Sequence, residues 1–417
     1  MSFPSLAKIS LKACLNVCVG ICLAALASGC ANTDAGSGAP PAAAASTPAA
    51  APASAPALPA LPYPQAVRKA AQDVLSNARL AKDQKYSMIV DPLVDGNSGA
   101  RTEATAAMEQ SLLQLVRENY RQVDIQPFNS AAVSALPLLM VGTFTPINVE
   151  GKMDGVRDAY RICFALADLK TGKIISKGLA RSLPDGFDAA PLAFFRDMPV
   201  WSKDIAVDGY IKTCQGTKAG DPINPAYIDA VLAAATINEA IAAYQNRRYD
   251  DALALYQSAL TNPAGNQARV HAGIYLANQK LGRTQAALRA FGRMTEMGLA
   301  SDKLAVQFNF KPGSIAFAQD RQPYALWLAE ISRQALRQPG CIEVAGHTRR
   351  GVSEQMDERL SLARAEFVRQ KAASIHPGFA RRSSAKGYGA QRAIIGTGKN
   401  DASDALDQRI EFKKTAC

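Results

Sequence analysis

Between residues 31 and 64 the chain is written almost wholly in Ala, Pro, Ser, Thr and Gly. Such a stretch has little to bury and cannot offset the entropy of ordering, so it acts as a tether and not as a core. Partly extended at roughly 3 Å per residue, it spans on the order of 50–100 Å. Folding is therefore confined to the far side of it, where the 417-residue chain still has enough length for two or three domains. Hydrophobic residues make up 48% of the chain and charged residues 20%, which places most of it among sequences that fold.

Ahead of the tether, Lys8 and Lys12 precede an apolar run from Ala13 to Ala27 interrupted by Asn16. The run is shorter than the roughly 20 residues of a comfortable membrane span and ends in Leu26-Ala27-Ser28-Gly29-Cys30. An ordinary signal peptide cut nearby and a buried apolar helix are the plainer readings. Charge, length and terminus together resemble a bacterial lipoprotein signal over residues 1–29, which implies a fatty-acylated Cys30. Ala27 departs from the pattern, since Leu is commoner at that place. Ala31 in place of an inner-membrane-retaining Asp implies the outer membrane, lipid-anchored on its periplasmic face. Export also removes nucleic acid as the partner that a net charge of +11 would otherwise suggest.

Of the eight cysteines, Cys14, Cys18 and Cys22 fall in the signal and Cys30 at its end. Cys163, Cys214, Cys341 and Cys417 remain, an even number in an oxidising compartment. None is spaced as CxxC, so neither a zinc site nor a thioredoxin-like motif is supported. Three pairings are open; one bridge within each domain, Cys163–Cys214 and Cys341–Cys417, is the expectation.

Residues 65–225 read as an α/β domain. Tyr86 to Leu93 is strand-like, Met108, Leu112, Leu115 and Val116 share a helical face, and Val123 to Phe128 and Leu138 to Phe144 read as strands. Tyr160 to Asp168 and Lys173 to Leu179 flank Leu169-Lys170-Thr171-Gly172 as a hairpin. Val141-Gly142-Thr143-Phe144 and Ala167 to Gly172 resemble phrases of the curli-secretion and penicillin-binding-protein-activator lipoproteins, which implies a docking domain. Residues 226–303 turn to Ala-rich helix. Ala252 and Ala287, like Tyr256 and Phe291, stand 35 residues apart, which resembles a tetratricopeptide repeat of period about 34. A plain helical hairpin connector is the blander alternative.

Residues 304–417 are the most informative. Val306 to Phe310 alternates as a strand, Pro323 to Leu336 is an amphipathic helix, and Cys341 to Ala345 is a buried strand. A helix follows with Leu360, Ala363, Phe367 and Val368 on one face, and a last strand lies near Arg409 to Phe412. Gly346-His347-Thr348, Leu360-Ser361-Leu362-Ala363-Arg364-Ala365, Gly387-Tyr388-Gly389 and Gln408-Arg409-Ile410-Glu411 occur in that order. Together they resemble the OmpA-like peptidoglycan-binding domain, which implies a βαβαββ fold and a pocket for the diaminopimelate of a wall stem peptide. The whole chain is then a multidomain α+β protein: lipid anchor and Ala/Pro linker (30–64), α/β domain, short tetratricopeptide-like segment and OmpA-like domain.

A zwitterionic ligand needs a cation for its carboxylate and an anion for its ammonium. The resemblance places Arg364 as the carboxylate-binding arginine, whose planar fork Lys does not reproduce. Where the family has its ammonium-binding aspartate this chain has Arg349, followed by Arg350. Asp357, where the family commonly has Asn, is the substitute anion. His347, Thr348 and Arg409 complete the candidate set. Arg364 pairing with Glu354 or Glu358 on a solvated face, and His347 as a core residue, are the structural alternatives. From residue 305 onward there are 18 Lys plus Arg against 11 Asp plus Glu, so the basic surplus is concentrated where a carboxylate-rich polymer would lie.

Three histidines, His271, His347 and His376, stand in unrelated contexts, and no nucleophile elbow, HExxH, phosphate loop or dinucleotide fingerprint is present. The expectation is a non-enzyme without metal or cofactor. It would be an outer-membrane lipoprotein that binds peptidoglycan non-covalently and tethers the membrane or an envelope complex to the wall, with a protein partner at the middle domains. The alternative is an accessory scaffold of an envelope-spanning secretion or wall-synthesis machine whose wall binding is degenerate.

Overall fold

The computed structural model describes residues 58–318 and 323–417; the signal segment, Cys30 and the tether as far as residue 57 lie outside them. The tether's expected end at residue 64 overlaps folded structure. Strand β1 (Ala60–Leu61) and helix α1 (Tyr63–Asn77) precede it or cross it, and α1 buries Ala66, Val67, Ala70, Ala71, Val74 and Leu75. Its buried alanines are what let it lie flat on a sheet.

That sheet is built from β1, β2 (Tyr86–Val90), β3 (Val94–Asp95), β4 (Val123–Gln126), β5 (Leu138–Ile147), β6 (Ala159–Asp168) and β7 (Lys173–Ser182). Helix α2 (Glu103–Asn119) separates β3 from β4, and α3 (Ser130–Ser134) separates β4 from β5. The spatial order is β1-β7-β6-β5-β2-β4, with β3 alongside β5. Strands β5, β6 and β7 are antiparallel neighbours, and β2 runs parallel to both β4 and β5. The β6–β7 turn carries Gly172 at φ +68°, a left-handed conformation that glycine adopts freely. On one face α1 and α2 cover the sheet, with Met108, Leu112, Leu115 and Val116 all buried. Gly178 on β7 sits beneath α1, where any side chain would overlap the Ala70 carbonyl.

The chain continues through α4 (Ala193–Asp197), β8 (Val200–Trp201), α5 (Ile205–Gln215) and α6 (Pro225–Ile228). Cys163 on β6 is disulfide-bonded to Cys214 on α5, Cα to Cα 6.1 Å, which fixes α5 on the second face of the sheet. Four helices follow: α7 (Val231–Gln245), α8 (Tyr249–Ala259), α9 (Ala268–Lys280) and α10 (Thr284–Ala300). Ala252 and Tyr256 on α8, and Ala287 and Phe291 on α10, are all buried. Gly273 on α9 leaves room for the Tyr256 ring. The segment is held at both ends. Val231, Ala234 and Ala235 join the core of the first sheet, and Phe291 stacks on Trp327 with ring centroids 5.2 Å apart.

The last segment runs β9 (Leu304–Val306), α11 (Tyr324–Ala335), β10 (Cys341–His347), α12 (Glu354–Ile375), the short α13 (Gly378–Arg381), β11 (Ser383–Gly387) and β12 (Arg409–Thr415). Apart from α13 this is the order βαβαββ. The sheet order is β11-β10-β12-β9-β8, with β10 and β11 parallel and the other neighbours antiparallel. Cys341 is bonded to Cys417, Cα to Cα 5.0 Å, at one end of the β10–β12 pair.

Two features differ from the sequence reading. Strand β9 stops at Val306, because Phe308 and Phe310 turn inward to pack with Phe317, Tyr324 and Trp327. And β8, from within residues 65–225, pairs with β9 as an edge of the last sheet. The boundaries at 225 and 304 therefore do not separate independent sheets. Among the described residues no helix is long and apolar enough to cross a membrane.

Candidate functional site

The two glycine phrases of the last segment meet in space. Gly346 on β10 and Gly387 on β11 are register partners, and α12 crosses directly over them. A side chain on Gly346 would overlap the Ser361 carbonyl, and one on Gly387 would press on the backbone at Glu358 and Leu362. Their lack of side chains lets the helix approach closely. The Gly389 N–H donates to Ser361 Oγ at 2.9 Å and the Thr348 N–H to the Gly389 carbonyl at 3.0 Å, closing the strand ends around the helix.

Helix α12 buries Asp357, Ser361, Arg364, Ala365, Val368 and Ala372. This corrects the face read from sequence: Ala363 is exposed, and Leu360 and Phe367 are only half-buried. The C-terminal half of the true face is apolar and rests on the sheet. Its N-terminal half is polar and faces the strand ends.

Arg364 is 3% exposed. Its Nε donates to the Ser314 carbonyl at 3.0 Å, its Nη2 to the Lys311 carbonyl at 3.3 Å and its Nη1 to Gln408 Oε1 at 3.3 Å. The guanidinium carbon lies 4.7 Å from the centroid of the Phe310 ring. Burial, then the nearby charge of Arg349, push its pKa down to about 10. No carboxylate among the described residues forms an ion pair with it. The solvated pairing with Glu354 or Glu358 is not formed; Glu354 accepts from Gln391 Nε2 at 2.8 Å instead.

Arg349 donates through Nη1 to the Asn400 carbonyl at 3.1 Å, while its buried Nε has no partner among the described residues. Thr348 is 4% exposed, and its buried Oγ1 likewise has no partner among the described residues. Asp357 accepts the Gly351 N–H at 2.7 Å on Oδ2. It lines a cavity of about 300 Å³ with Arg350, Gly351, Ser353, Glu354 and Gln391.

His347 and Arg409 belong to a different cluster. Arg409 Nε and Nη2 both lie 2.7 Å from Glu411 Oε1, and Nη2 also donates to the Arg392 carbonyl at 3.0 Å. His347 Nε2 is 3.3 Å from Glu411 Oε2, and its ring stacks on Tyr388 at 5.4 Å. Lys413 Nζ reaches the same carboxylate at 2.6 Å. Burial drives the His347 pKa down. Burial alone would raise Glu411, but the contact with His347 and the charge of Arg409 outweigh it and hold this carboxyl well below its usual range.

The structure thus brings Arg364 and Arg349 near one another, assigns Arg409 and His347 to Glu411, and commits one oxygen of Asp357 to a loop. In the sequence, Gln408 and Glu411 carry no signal beyond flanking Arg409 in Gln408-Arg409-Ile410-Glu411. Asn400 and the carbonyls of Lys311 and Ser314 act through backbone atoms, which residue type does not reveal. Among the described residues no group of three or more His, Cys, Asp or Glu is placed to hold a metal ion.

No family model and no curated protein matches the chain. Solved structures similar to 27% of it include the periplasmic domain of MotB from Helicobacter pylori, 21% identical over 74% of that chain with a TM-score of 0.22. The cell wall anchor of the T6SS from Pseudomonas aeruginosa is 22% identical over 80% of its chain, TM-score 0.22. The OmpA-like domain of FopA1 from Francisella tularensis is 18% identical over 72% of its chain, also at 0.22.

Proposed function

We propose that the chain is an envelope lipoprotein whose C-terminal segment grips peptidoglycan by a carboxylate of the diaminopimelate stem peptide. The observation that carries this is Arg364: a buried guanidinium with no carboxylate partner among the described residues, within reach of the charge of Arg349, whose Nε, like Oγ1 of the adjoining Thr348, has no partner among those residues. A ligand carboxylate exchanging with the Lys311 and Ser314 carbonyls gives the fork an ionised acceptor, and such charge-assisted bonds contribute about 1.5–3 kcal/mol each. The residues between Cys30 and β1 link this grip to a lipid on Cys30, so the chain bridges outer membrane and wall. The α/β and helical segments receive a protein partner. The chain acts by binding, without catalysis and without a cofactor.

A second reading rests on the same atoms. Arg364 is already satisfied by the chain's own loop, and Arg349 occupies the place where the OmpA resemblance implies an aspartate. On that reading the chain is a scaffold of an envelope-spanning machine with degenerate wall binding. Co-sedimentation of the full chain with isolated peptidoglycan separates the two, run beside Arg364→Ala and Arg349→Asp with free diaminopimelate as competitor. Wild-type binding that Arg364→Ala abolishes and diaminopimelate competes away supports the grip. Absent wild-type binding that Arg349→Asp creates supports the scaffold.

A further inference from the structure

Arg157 lies in the loop between β5 and β6, in the first half of the chain, yet it is 7% exposed and its partners are all in the last segment. Its Nη1 donates to the carbonyls of Ile394 and Ile395 and its Nη2 to the carbonyl of Ala393 at 3.0 Å. Asn97 Nδ2, from the same α/β domain, reaches the Ile394 carbonyl at 3.1 Å. These carbonyls belong to the loop between β11 and β12, whose far side is gripped as well. Asp407 accepts the N–H groups of Ile394, Ile395 and Gly396 at 2.6, 2.8 and 2.8 Å.

The same loop leads to the candidate site. Asp404 accepts from Thr397 through N at 3.1 Å and Oγ1 at 2.7 Å, and from the Asn400 N–H at 3.3 Å. The Asn400 carbonyl is the acceptor for Arg349 Nη1. A continuous chain of bonded groups therefore runs from Arg157 through residues 393–400 to Arg349. Peptide carbonyls and N–H groups in such a loop have no ladder to fall back on, so their geometry is set by whatever satisfies them from outside. Here the carbonyls of residues 393–395 are satisfied from the segment of the first sheet.

We propose that Arg157 is a positioning residue for the wall site: the α/β domain, through Arg157 and Asn97, sets the loop that orients Arg349. The inference rests on the peptidoglycan reading for its ligand, but its geometric content stands on the loop alone. It makes the grip depend on residues that the first sheet positions as well as on the last segment.

The test uses the full chain with Arg157→Ala, Arg157→Lys and Asn97→Ala, the last as a milder variant should the first fail to fold. Two quantities are read: peptidoglycan co-sedimentation and amide hydrogen exchange by residue. Arg157→Ala is expected to weaken wall binding by about tenfold and to speed exchange at Ile394, Ile395, Gly396 and Asn400, leaving β10 and β12 unchanged. Lys, with one charged donor group in place of a fork, restores part of the binding, and Asn97→Ala gives a smaller loss in the same direction. Wild-type affinity and wild-type exchange in Arg157→Ala and Asn97→Ala overturn the proposal. Faster loop exchange in a chain that never binds peptidoglycan overturns the ligand reading while leaving the coupling in place.

Discussion

Arg364 Nε and the Ser314 carbonyl, 3.0 Å apart, join the polar half of α12 to the loop that follows β9. The bond is charge-assisted on one side only, because a peptide carbonyl is a neutral acceptor. It is therefore the kind of contact that an ionised ligand displaces and that keeps the buried cation satisfied in the meantime.

Arg364→Lys tests the fork directly. A lysine keeps the charge but not the planar donors that span Ser314, Lys311 and Gln408. The expected outcome is a stability loss of about 1–3 kcal/mol in urea unfolding, with loss of diaminopimelate-competable wall binding. Unchanged competition by free diaminopimelate would place the grip elsewhere.

Glu411→Gln addresses the neighbouring cluster. The folded Glu411 pKa lies below its ordinary value. Its contribution is therefore fully present above the unfolded value near pH 4.3 and is lost as pH falls through the folded value. The variant should be less stable than the parent by about 3 kcal/mol near neutrality, because Arg409 loses a buried carboxylate. That gap should narrow below about pH 4. Denaturant midpoints across the pH range read it out.

Asp91 behaves in the opposite sense. It is buried, accepts the Tyr227 hydroxyl at 2.5 Å on Oδ2, and burial pushes its pKa up to about 7. With the folded value raised, stability is highest below the unfolded pKa near 3.9 and declines as pH rises toward about 7, by at most about 1.4 kcal/mol per unit. Asp91→Asn keeps an acceptor for Tyr227 and removes the charge. It should be more stable than the parent at pH 8 and indistinguishable near pH 4, by thermal melts at both.

Reducing the Cys163–Cys214 bridge frees a link across 51 residues. Chain entropy predicts a cost of about 4 kcal/mol for a loop of that size. A Cys163→Ser, Cys214→Ser variant should lose α5 from the second face of the first sheet before α1 and α2, visible as faster hydrogen exchange at Tyr210 and Ile211. Uniform loss across the chain would contradict the bridge as a local fastening.

Much of the framework was legible because its signals are local. The periodicity of α2, the hairpin at Leu169–Gly172 and the glycine phrases each depend on residues within a few positions of one another. The face of α12 was not legible for a physical reason: Ser361 and Arg364 point inward toward a polar site, so apolar periodicity selects the wrong side. The start of α1 was hidden because Tyr63 and Pro64 continue the Pro-rich tether, while the helix lies flat on the sheet only because Gly178 makes room for it. Nothing local marks Arg157, whose carbonyl partners lie more than 230 residues away in sequence. The charge expected to act at the site in Arg409 turned out to be spent on Glu411 two residues along the same strand.

Strand β8 is only Val200–Trp201, yet it closes the open side of β9. A fragment begun at residue 304 lacks it and presents the bare N–H and C=O groups of β9 to solvent, next to a short apolar run of Leu304, Ala305 and Val306 that is buried in the intact chain. Such an edge recruits any extended segment within reach, including the same edge of another copy. Excised C-terminal fragments should therefore self-associate with rising concentration, and a fragment begun before Val200 should not.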